Sequence, residues 1–237
     1  MMISVYNVLL VVLVMLQCVT APAYIISTKP GCSIRTLILK AACSTVFLVT
    51  GIIAAVGSGG FDSIYPKLMV IGFACSWIGD VMLHRDPKTP RIIAGGLGFL
   101  TAHVLFITSY IKTEGALTGE TKIISKRDIF IILGVFALAV VIYFALKLKA
   151  GKLLAPIAIY AVVLSFMIAK ALDLGIALID TKPAAAVLIP LGAFLFAASD
   201  FTLGISFLGK TDFKKQALNM ALYLPAQMML ALSIYFI

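Results

Sequence analysis

The chain has 237 residues, of which 62% are hydrophobic and only 12% are charged. A water-soluble domain is typically about half apolar and about a quarter charged, so this composition excludes a soluble globular protein. The net charge of +9 would favour nucleic-acid binding in a soluble protein, but here the basic residues lie between long apolar runs. That distribution is typical of membrane topology, and we expect no nucleic-acid partner.

Eight apolar runs of roughly 20–27 residues are long enough to cross the hydrocarbon core of a bilayer. Each run is predicted to be a helix, because lipid leaves no backbone group unpaired and the runs lack the alternation of barrel strands. The predicted fold is all-α: a polytopic bundle of about eight transmembrane helices, forming a single integral-membrane domain over residues 1–237. The spans are predicted at 2–26, 33–57, 65–84, 91–111, 127–149, 152–178, 183–205 and 212–237.

The segments between the spans predict the orientation of the chain. The first run has no basic residue before Lys29, so it is predicted to be a span rather than a signal peptide. Only the connection at 112–126 is long and polar, and we expect an exposed loop there. Eleven Lys and Arg residues follow spans 1, 3, 5 and 7, against six on the other side, which places both termini outside the cytoplasm. In a bacterium the membrane would be the plasma membrane.

A zinc site is poorly supported by the sequence. The four cysteines show no CxxC spacing and lie in or beside different apolar runs: Cys18, Cys32, Cys43 and Cys75. Only His84 and His103 could add imidazole ligands. We therefore expect small thiols buried in the membrane, and no bound metal.

Ionisable side chains are rare inside the predicted spans, where a charge at the bilayer centre costs about 2.5–3.5 kcal/mol on insertion scales. They are Lys40, Asp80, His103, Lys170, Asp173 and Asp200. Three of them, Lys40, Asp80 and Asp200, are predicted to lie roughly 6–11 Å inside the cytoplasmic helix ends, at 1.5 Å per residue. Polar stripes at helical spacing begin from the same end on spans 3 and 8: Ser76, Asp80 and His84, and Asn219, Tyr223 and Gln227. Four helices therefore carry polar groups at one depth.

Most of these residues also have a structural explanation. Lys40 could form a structural ion pair with either aspartate, and His103 could be a packing histidine. Lys170 and Asp173 lie at i and i+3 on the opposite half of span 6, where we expect a local salt bridge. The Tyr223 stripe could form a hydrogen-bonded seam between helices.

Two aspartates at matched depth are harder to explain by packing alone. If Asp80 and Asp200 share a site of low dielectric constant, one can hold a proton while the other stays ionised. The pair can then supply an acid and a base together, as two carboxyl groups do in glycosidases. Such a pair suits hydrolysis of a bond whose slow step is protonation.

Four motifs recur in one order along the chain. Segment 77–83 contains Gly-Asp-x-x-Leu, and segment 96–103 has Gly-Phe at its centre and ends in His. Segment 192–200 contains Gly-Ala-x-x-Phe-x-x-Ser-Asp and is followed by Phe207, and segment 223–227 is Tyr-x-x-Ala-Gln. In order and spacing, over nearly the whole chain, these motifs resemble the YhhN-like lysoplasmalogenase family. One departure is Lys40, which Ala41 follows where the family tends to have a nearby proline.

The resemblance implies an ether hydrolase that cleaves the vinyl-ether bond of lysoplasmalogens to a fatty aldehyde and glycerophospho-ethanolamine or -choline. Asp80 and Asp200 are the implied catalytic residues, one protonating the β-carbon and the other orienting water, with the assignment open. Supporting or substrate-binding roles are expected for Lys40, Ser76, His103, Ser199, Asn219, Tyr223 and Gln227. The implied partners are a lysophospholipid substrate and the bilayer, and no cofactor is required.

Two other functions use similar residues. An intramembrane aspartyl protease also has two aspartates, but Trp77 stands where its GxGD motif has the first glycine, and Asp200 follows Ser199 rather than Tyr. A small-molecule or lipid transporter or channel would more often show internal repeats and broken spans, and the sequence has no convincing repeat.

Overall fold

The computed structural model describes residues 4–29, 31, 33–84, 89–151, 154–209 and 212–237. This part of the chain forms eight α-helices and no β-strand, and each helix is long and apolar enough to span a membrane. The helices are α1 (Val5–Ser27), α2 (Ile34–Gly57), α3 (Ile64–Leu83), α4 (Thr89–Thr118), α5 (Lys126–Ala145), α6 (Leu154–Leu178), α7 (Pro183–Leu208) and α8 (Phe213–Phe236). The predicted all-helical bundle is confirmed. Cys32 and several loop cations counted for topology (Arg85, Lys88, Lys152 and Lys210) lie outside the described residues.

The largest difference from the predicted spans is at α4, which continues to Thr118 instead of ending at 111. The expected loop at 112–126 is therefore wrong over its first seven residues. Lys112 and Glu114 are polar but favour helix, so hydropathy ends the span before the helix itself ends. Gly119 terminates the helix with φ +78°, a conformation that suits glycine, and its N–H donates to the Gly115 carbonyl at 3.0 Å.

Side-chain caps fix where four of the described helices begin. At α1, the Ser4 hydroxyl accepts from the Tyr6 N–H at 3.3 Å. Ser33 and Thr36 form a reciprocal capping box at the start of α2, with backbone N–H to hydroxyl distances of 3.2 Å and 2.8 Å. Ser125 and Asp128 form the same arrangement at α5. Asp212 caps α8 by accepting from the Lys215 N–H at 2.8 Å. Each cap satisfies backbone donors that the first helical turn leaves unpaired.

Six helices form a closed ring in the order α2, α3, α4, α6, α7, α8 and back to α2, with α3 also touching α8 across it. Helix α1 packs outside the ring against α2 and α8, and α5 packs outside it against α6. The core of the ring is aromatic, with tilted or edge-to-face contacts at centroid distances of 5.3–6.3 Å among Phe73, Phe99, Phe106, Phe196 and Tyr223. The interior of the ring is therefore where side chains are most completely shielded from lipid.

The helices repeat with a shift of about 120 residues along the chain. Helices α1–α4 correspond to α5–α8, and α2 and α6 begin 120 residues apart, at Ile34 and Leu154. The neighbours also correspond: α1–α2 matches α5–α6, α2–α3 matches α6–α7, α3–α4 matches α7–α8, and α4–α6 matches α8–α2. The described chain thus contains two four-helix halves of the same topology. The correspondence lies in the arrangement of the helices, whereas the sequence alone shows no convincing repeat.

Close backbone contact holds α3 against α4 and α7 against α8. A Cβ on Gly98 would lie 3.0 Å from the Cys75 carbonyl oxygen and 3.2 Å from the backbone of Gly79. In the other half, a Cβ on Gly192 would lie 3.2 Å from the Ala226 carbonyl oxygen. Such glycines let membrane helices approach more closely than larger residues allow. The two aspartates lie on α3 and α7, the helices that these contacts position.

Candidate active site

Asp80 on α3 and Asp200 on α7 lie 120 residues apart in sequence, at equivalent positions of the two halves. Asp80 lies three residues before the end of α3 and Asp200 eight residues before the end of α7, which is roughly 5 Å and 12 Å along the helix axes. Only 1% of Asp80 and 7% of Asp200 is exposed. Both carboxyl groups are therefore buried near the same end of the bundle, as the sequence predicts.

Asp80 forms one ion pair and accepts two hydrogen bonds from side chains on two other helices. Lys40 on α2 places its ammonium nitrogen Nζ 3.1 Å from Oδ1 of Asp80. Ser44, one turn further along α2, lies 2.5 Å from Oδ2, and the Tyr223 hydroxyl of α8 donates to the same oxygen at 2.7 Å. A cation and two hydroxyl donors around one buried carboxyl group favour its ionised form.

Asp200 has a different set of partners. The Tyr160 hydroxyl of α6 donates to Oδ2 of Asp200 at 2.5 Å, and Nε2 of His103 on α4 lies 3.2 Å from the same oxygen. The other ring nitrogen of His103, Nδ1, lies 2.6 Å from the Phe99 carbonyl oxygen. His103 is thus more than a packing histidine, because it contacts one of the two carboxyl groups directly.

The two carboxyl centres share one geometry and differ in chemistry. Lys40 and Tyr160 are equivalent positions, 120 residues apart, and each contacts the aspartate of its own half. His103 and Tyr223 are likewise 120 residues apart, and each contacts the aspartate of the other half. One centre therefore has a lysine and a tyrosine, and the other has a tyrosine and a histidine at the equivalent positions.

Aromatic contacts join the two centres. The ring of Phe196 lies 4.5 Å from that of His103 and 5.5 Å from that of Tyr223, between centroids. The Tyr223 hydroxyl that donates to Asp80 belongs to the ring that Phe196 contacts. The two centres are thus neighbours in the core of the ring.

The remaining predicted site residues are buried nearby but bond to other groups. Asn219 donates to the Ser199 carbonyl oxygen at 2.6 Å, and the Ser199 hydroxyl donates to the Phe196 carbonyl oxygen at 2.8 Å. Gln227 donates to the Ser76 hydroxyl oxygen at 3.4 Å, and its own buried carbonyl oxygen has no hydrogen-bond partner within the described chain. These contacts tie α8 to α7 and α3. They bring the four side chains to the neighbourhood of the carboxyl groups without joining them to either.

Sequence reasoning missed two residues that bond directly to the aspartates, Ser44 and Tyr160. Ser44 had a usable signal, since it lies one turn after Lys40 on the same helix face. Tyr160 had a signal only through the repeat, because it occupies the position of Lys40 in the second half. A single tyrosine in an apolar run does not otherwise indicate a functional residue.

A second buried charge cluster lies further along α6, away from the aspartate pair. Lys170 Nζ lies 2.6 Å from Asp128 Oδ2 and 2.9 Å from Asp173 Oδ2, and Arg127 also pairs with Asp173. The predicted salt bridge between Lys170 and Asp173 is confirmed and extends to the start of α5. Tyr160 and Lys170 are ten residues apart, roughly 15 Å along α6, so this cluster holds α5 to the ring at a distance from the carboxyl centres.

The other histidine bonds to residues outside the aspartate pair. His84 Nε2 lies 2.8 Å from the Thr36 hydroxyl, and its Nδ1 lies 3.5 Å from that of Tyr24, which joins the ends of α1, α2 and α3. Cys43 is buried, Cys75 is partly buried and Cys18 is exposed. Within the described ranges, no group of three or more His, Cys, Asp or Glu side chains is arranged to hold a metal ion.

Comparison with known proteins identifies a family for most of the chain. The sequence profile of the YhhN family matches residues 36–234. The matched range contains both carboxyl centres and every residue that bonds to them. No curated protein and no solved structure matches the chain.

Proposed function

The chain belongs to the YhhN family, and from this membership and its paired carboxyl centres we propose that it is a lysoplasmalogenase. It hydrolyses the vinyl-ether bond of lysoplasmalogens to a fatty aldehyde and glycerophospho-ethanolamine or glycerophospho-choline. The observation that carries the proposal is the pair of buried aspartates, Asp80 and Asp200, held at equivalent positions by partners of unlike chemistry. Acid–base catalysis by two carboxyl groups needs different environments around them, so that one group holds a proton while the other is ionised.

The chemistry of an enol ether suits such a pair. Protonation of the β-carbon converts the vinyl ether to an oxocarbenium ion, which water captures to give a hemiacetal that collapses to aldehyde and alcohol. A carboxyl group can deliver the proton, and a neighbouring carboxylate can stabilise the cation and accept a proton from water. The residues with these roles are Asp80 and Asp200.

The depth of the two aspartates suits a lysolipid. The vinyl-ether bond lies directly beneath the glycerol, so it sits only a few ångströms below the head group. Asp80 and Asp200 lie roughly 5–12 Å from the helix ends. At this depth they can reach the vinyl-ether bond while the head group of the lipid stays in the interface. With the predicted orientation, substrate enters from the cytoplasmic leaflet.

The test is aldehyde release by purified protein with three lysophospholipids that share a head group: the 1-alkenyl, 1-alkyl and 1-acyl forms. We expect cleavage of the alkenyl lipid, competitive inhibition by the alkyl lipid, which has no carbon to protonate, and little cleavage of the acyl lipid. Asp80→Asn and Asp200→Asn should each abolish aldehyde release, whereas the matched change Asp62→Asn, at an exposed loop residue, should not. Acyl cleavage at a comparable rate, lost in Ser76→Ala or Ser199→Ala, would instead indicate a serine hydrolase.

A transporter is the second candidate, because the two four-helix halves of like topology resemble the repeats on which many transporters are built. In that case the buried charges would line a path for a solute or lipid. Reconstitution in liposomes separates the candidates: a transporter moves its solute across the bilayer and leaves the lipid intact. Aldehyde formation without solute uptake favours the hydrolase.

A further inference from the structure

The contacts of Asp80 fix its charge. Lys40 has only N–H donors and no acceptor, and its Nζ lies 3.1 Å from Asp80 Oδ1. Oδ2 already receives the hydroxyls of Ser44 and Tyr223 at 2.5 Å and 2.7 Å. With a cation on one oxygen and two donors on the other, Asp80 is held as a carboxylate. It is suited to accept a proton and unsuited to bring one.

The contacts of His103 place a proton on the other centre. A carbonyl oxygen can only accept, so Nδ1 of His103, 2.6 Å from the Phe99 carbonyl oxygen, carries the hydrogen. A neutral imidazole protonated at Nδ1 has a lone pair on Nε2, and that nitrogen faces Asp200 Oδ2 at 3.2 Å. Nε2 has no hydrogen-bond partner within the described chain, and a lone pair this close to a carboxylate oxygen is repelled by it, so the contact favours a proton on one of the two groups. His103 and Asp200 therefore carry one proton between them.

The surroundings of this pair leave that proton available. From α6 Tyr160 donates to Asp200 Oδ2, whereas Tyr223 on α8 donates to Asp80. Lys40 on α2 is engaged with Asp80 on α3. In the described part of the chain, no lysine or arginine pairs with Asp200, and no residue donates to its Oδ1. One carboxylate oxygen is thus left for the substrate.

We propose that Asp200, supported by His103, is the proton donor of the reaction, and that Asp80 is the carboxylate that receives a proton from water. The inference rests on the proposed function and assigns the two roles within it. His103 is a positioning residue, because its side chain is fully buried and acts through Asp200. Tyr160 orients the same carboxyl group from the other side.

The proton balance closes over one turnover. Asp200 gives the shared proton to the β-carbon, forming a C–H bond and an oxocarbenium ion. Water adds to that ion and its proton passes to Asp80. As the hemiacetal collapses, the bond between the hemiacetal carbon and the glycerol oxygen breaks. The glycerol oxygen takes the proton from Asp80. The hemiacetal hydroxyl returns its proton to the Asp200–His103 pair, and the aldehyde leaves.

The chain has only two histidines, so His84→Gln is a matched control for His103→Gln. We expect His103→Gln to lower kcat by about a hundredfold or more with little change in KM, and to change the pH profile of the reaction. His84→Gln should keep both the rate and the pH profile. A His103→Gln protein with the kcat and pH profile of the wild type overturns the assignment while leaving aldehyde release, and thus the function, intact.

A spectroscopic measurement tests the pair without relying on activity. In protein labelled with ¹⁵N-histidine, His84→Gln identifies the signals of His103. Nδ1 of His103 should be protonated at neutral pH, and Asp200→Asn should alter the Nε2 signal and leave that of Nδ1 in place. An unprotonated Nδ1, or an Nε2 signal indifferent to Asp200→Asn, refutes the shared proton even if the wild type releases no aldehyde. Absent aldehyde release with the expected ¹⁵N signals would count against the function alone.

Discussion

The ion pair between Lys40 and Asp80 gives the sharpest test of how the site is held together. Lys40→Met keeps the length of the side chain but leaves a buried carboxylate without its cation, where Asp80 is 1% exposed. Removing one partner of a buried pair typically costs about 3–5 kcal/mol. Because Ser44 and Tyr223 still donate to Asp80, we expect the lower end, about 3 kcal/mol.

The measurement is a thermal unfolding curve in one detergent. A loss of about 3 kcal/mol corresponds to a fall in Tm of roughly 6–12 °C for a chain of this size. Lys67→Met, at an exposed lysine of α3, is the matched control and should change stability by less than about 0.5 kcal/mol. The double variant Lys40→Met with Asp80→Asn removes both charges. It should recover most of the loss, because no charge is left uncompensated.

The double-mutant cycle separates this explanation from a simple packing effect. If Lys40 stabilises the fold mainly through its aliphatic chain, Lys40→Met costs little and the second change adds its own cost. If the charge pair is the reason, Asp80→Asn is less harmful in the Lys40→Met background than alone. A Lys40→Met protein as stable as the wild type would refute the claim that Asp80 is held as an anion.

Three further predictions follow from particular contacts. Tyr160→Phe removes the 2.5 Å hydrogen bond to Asp200, the proposed proton donor, and a typical hydrogen bond is worth about 0.5–1.5 kcal/mol, so we expect a loss of roughly 2–10-fold in kcat/KM measured by aldehyde release. The Lys215 backbone N–H holds the pKa of Asp212 below its usual value. The cap therefore stabilises the fold fully at a pH above the pKa that Asp212 has in the unfolded chain. This stabilisation is lost as the pH falls through the pKa that Asp212 has in the folded chain. Unfolding curves of Asp212→Asn, which keeps a capping oxygen, should therefore depend less on acid pH than those of the wild type. Reporter fusions at Lys88 and Thr118 should report opposite faces of the membrane, and a shared face would contradict the eight-span topology.

The fold could be predicted because lipid leaves the backbone few choices. An apolar run of membrane-spanning length has to be a helix, and all eight predicted spans correspond to helices. The end of α4 could not be placed in the same way. Hydropathy falls at Lys112, but the helix continues to Thr118 because these polar residues favour helix and the terminating glycine comes only at Gly119. Composition therefore locates spans well and locates their ends poorly.

The site could be predicted in part because charge is expensive in a membrane. Lys40, Asp80 and Asp200 stand out in apolar runs for this reason, and all three are buried at the predicted end of the bundle. Ser44 and Tyr160 carry hydroxyl groups, which cost far less to bury, so their burial in an apolar run does not single them out, and only their positions relative to Lys40 do. Which donor reaches which carboxyl group depends on how the ring of helices closes, and spacing along one helix does not contain that information.

The repeat shows why the two halves had to diverge at the site. Gly72 and Gly192 match, as do Asp80 and Asp200, but Lys40 is replaced by Tyr160 at the equivalent position. If both halves had kept a lysine, both carboxyl groups would be held as anions and neither would bring a proton. If both had a tyrosine and an imidazole, neither would be held as an anion to receive one. In the mechanism that we propose, the same backbone geometry, with a cation in one half and an imidazole against the carboxyl group of the other, supplies one base and one acid. The divergence that hides the repeat from the sequence is thus the same difference that an acid–base pair requires.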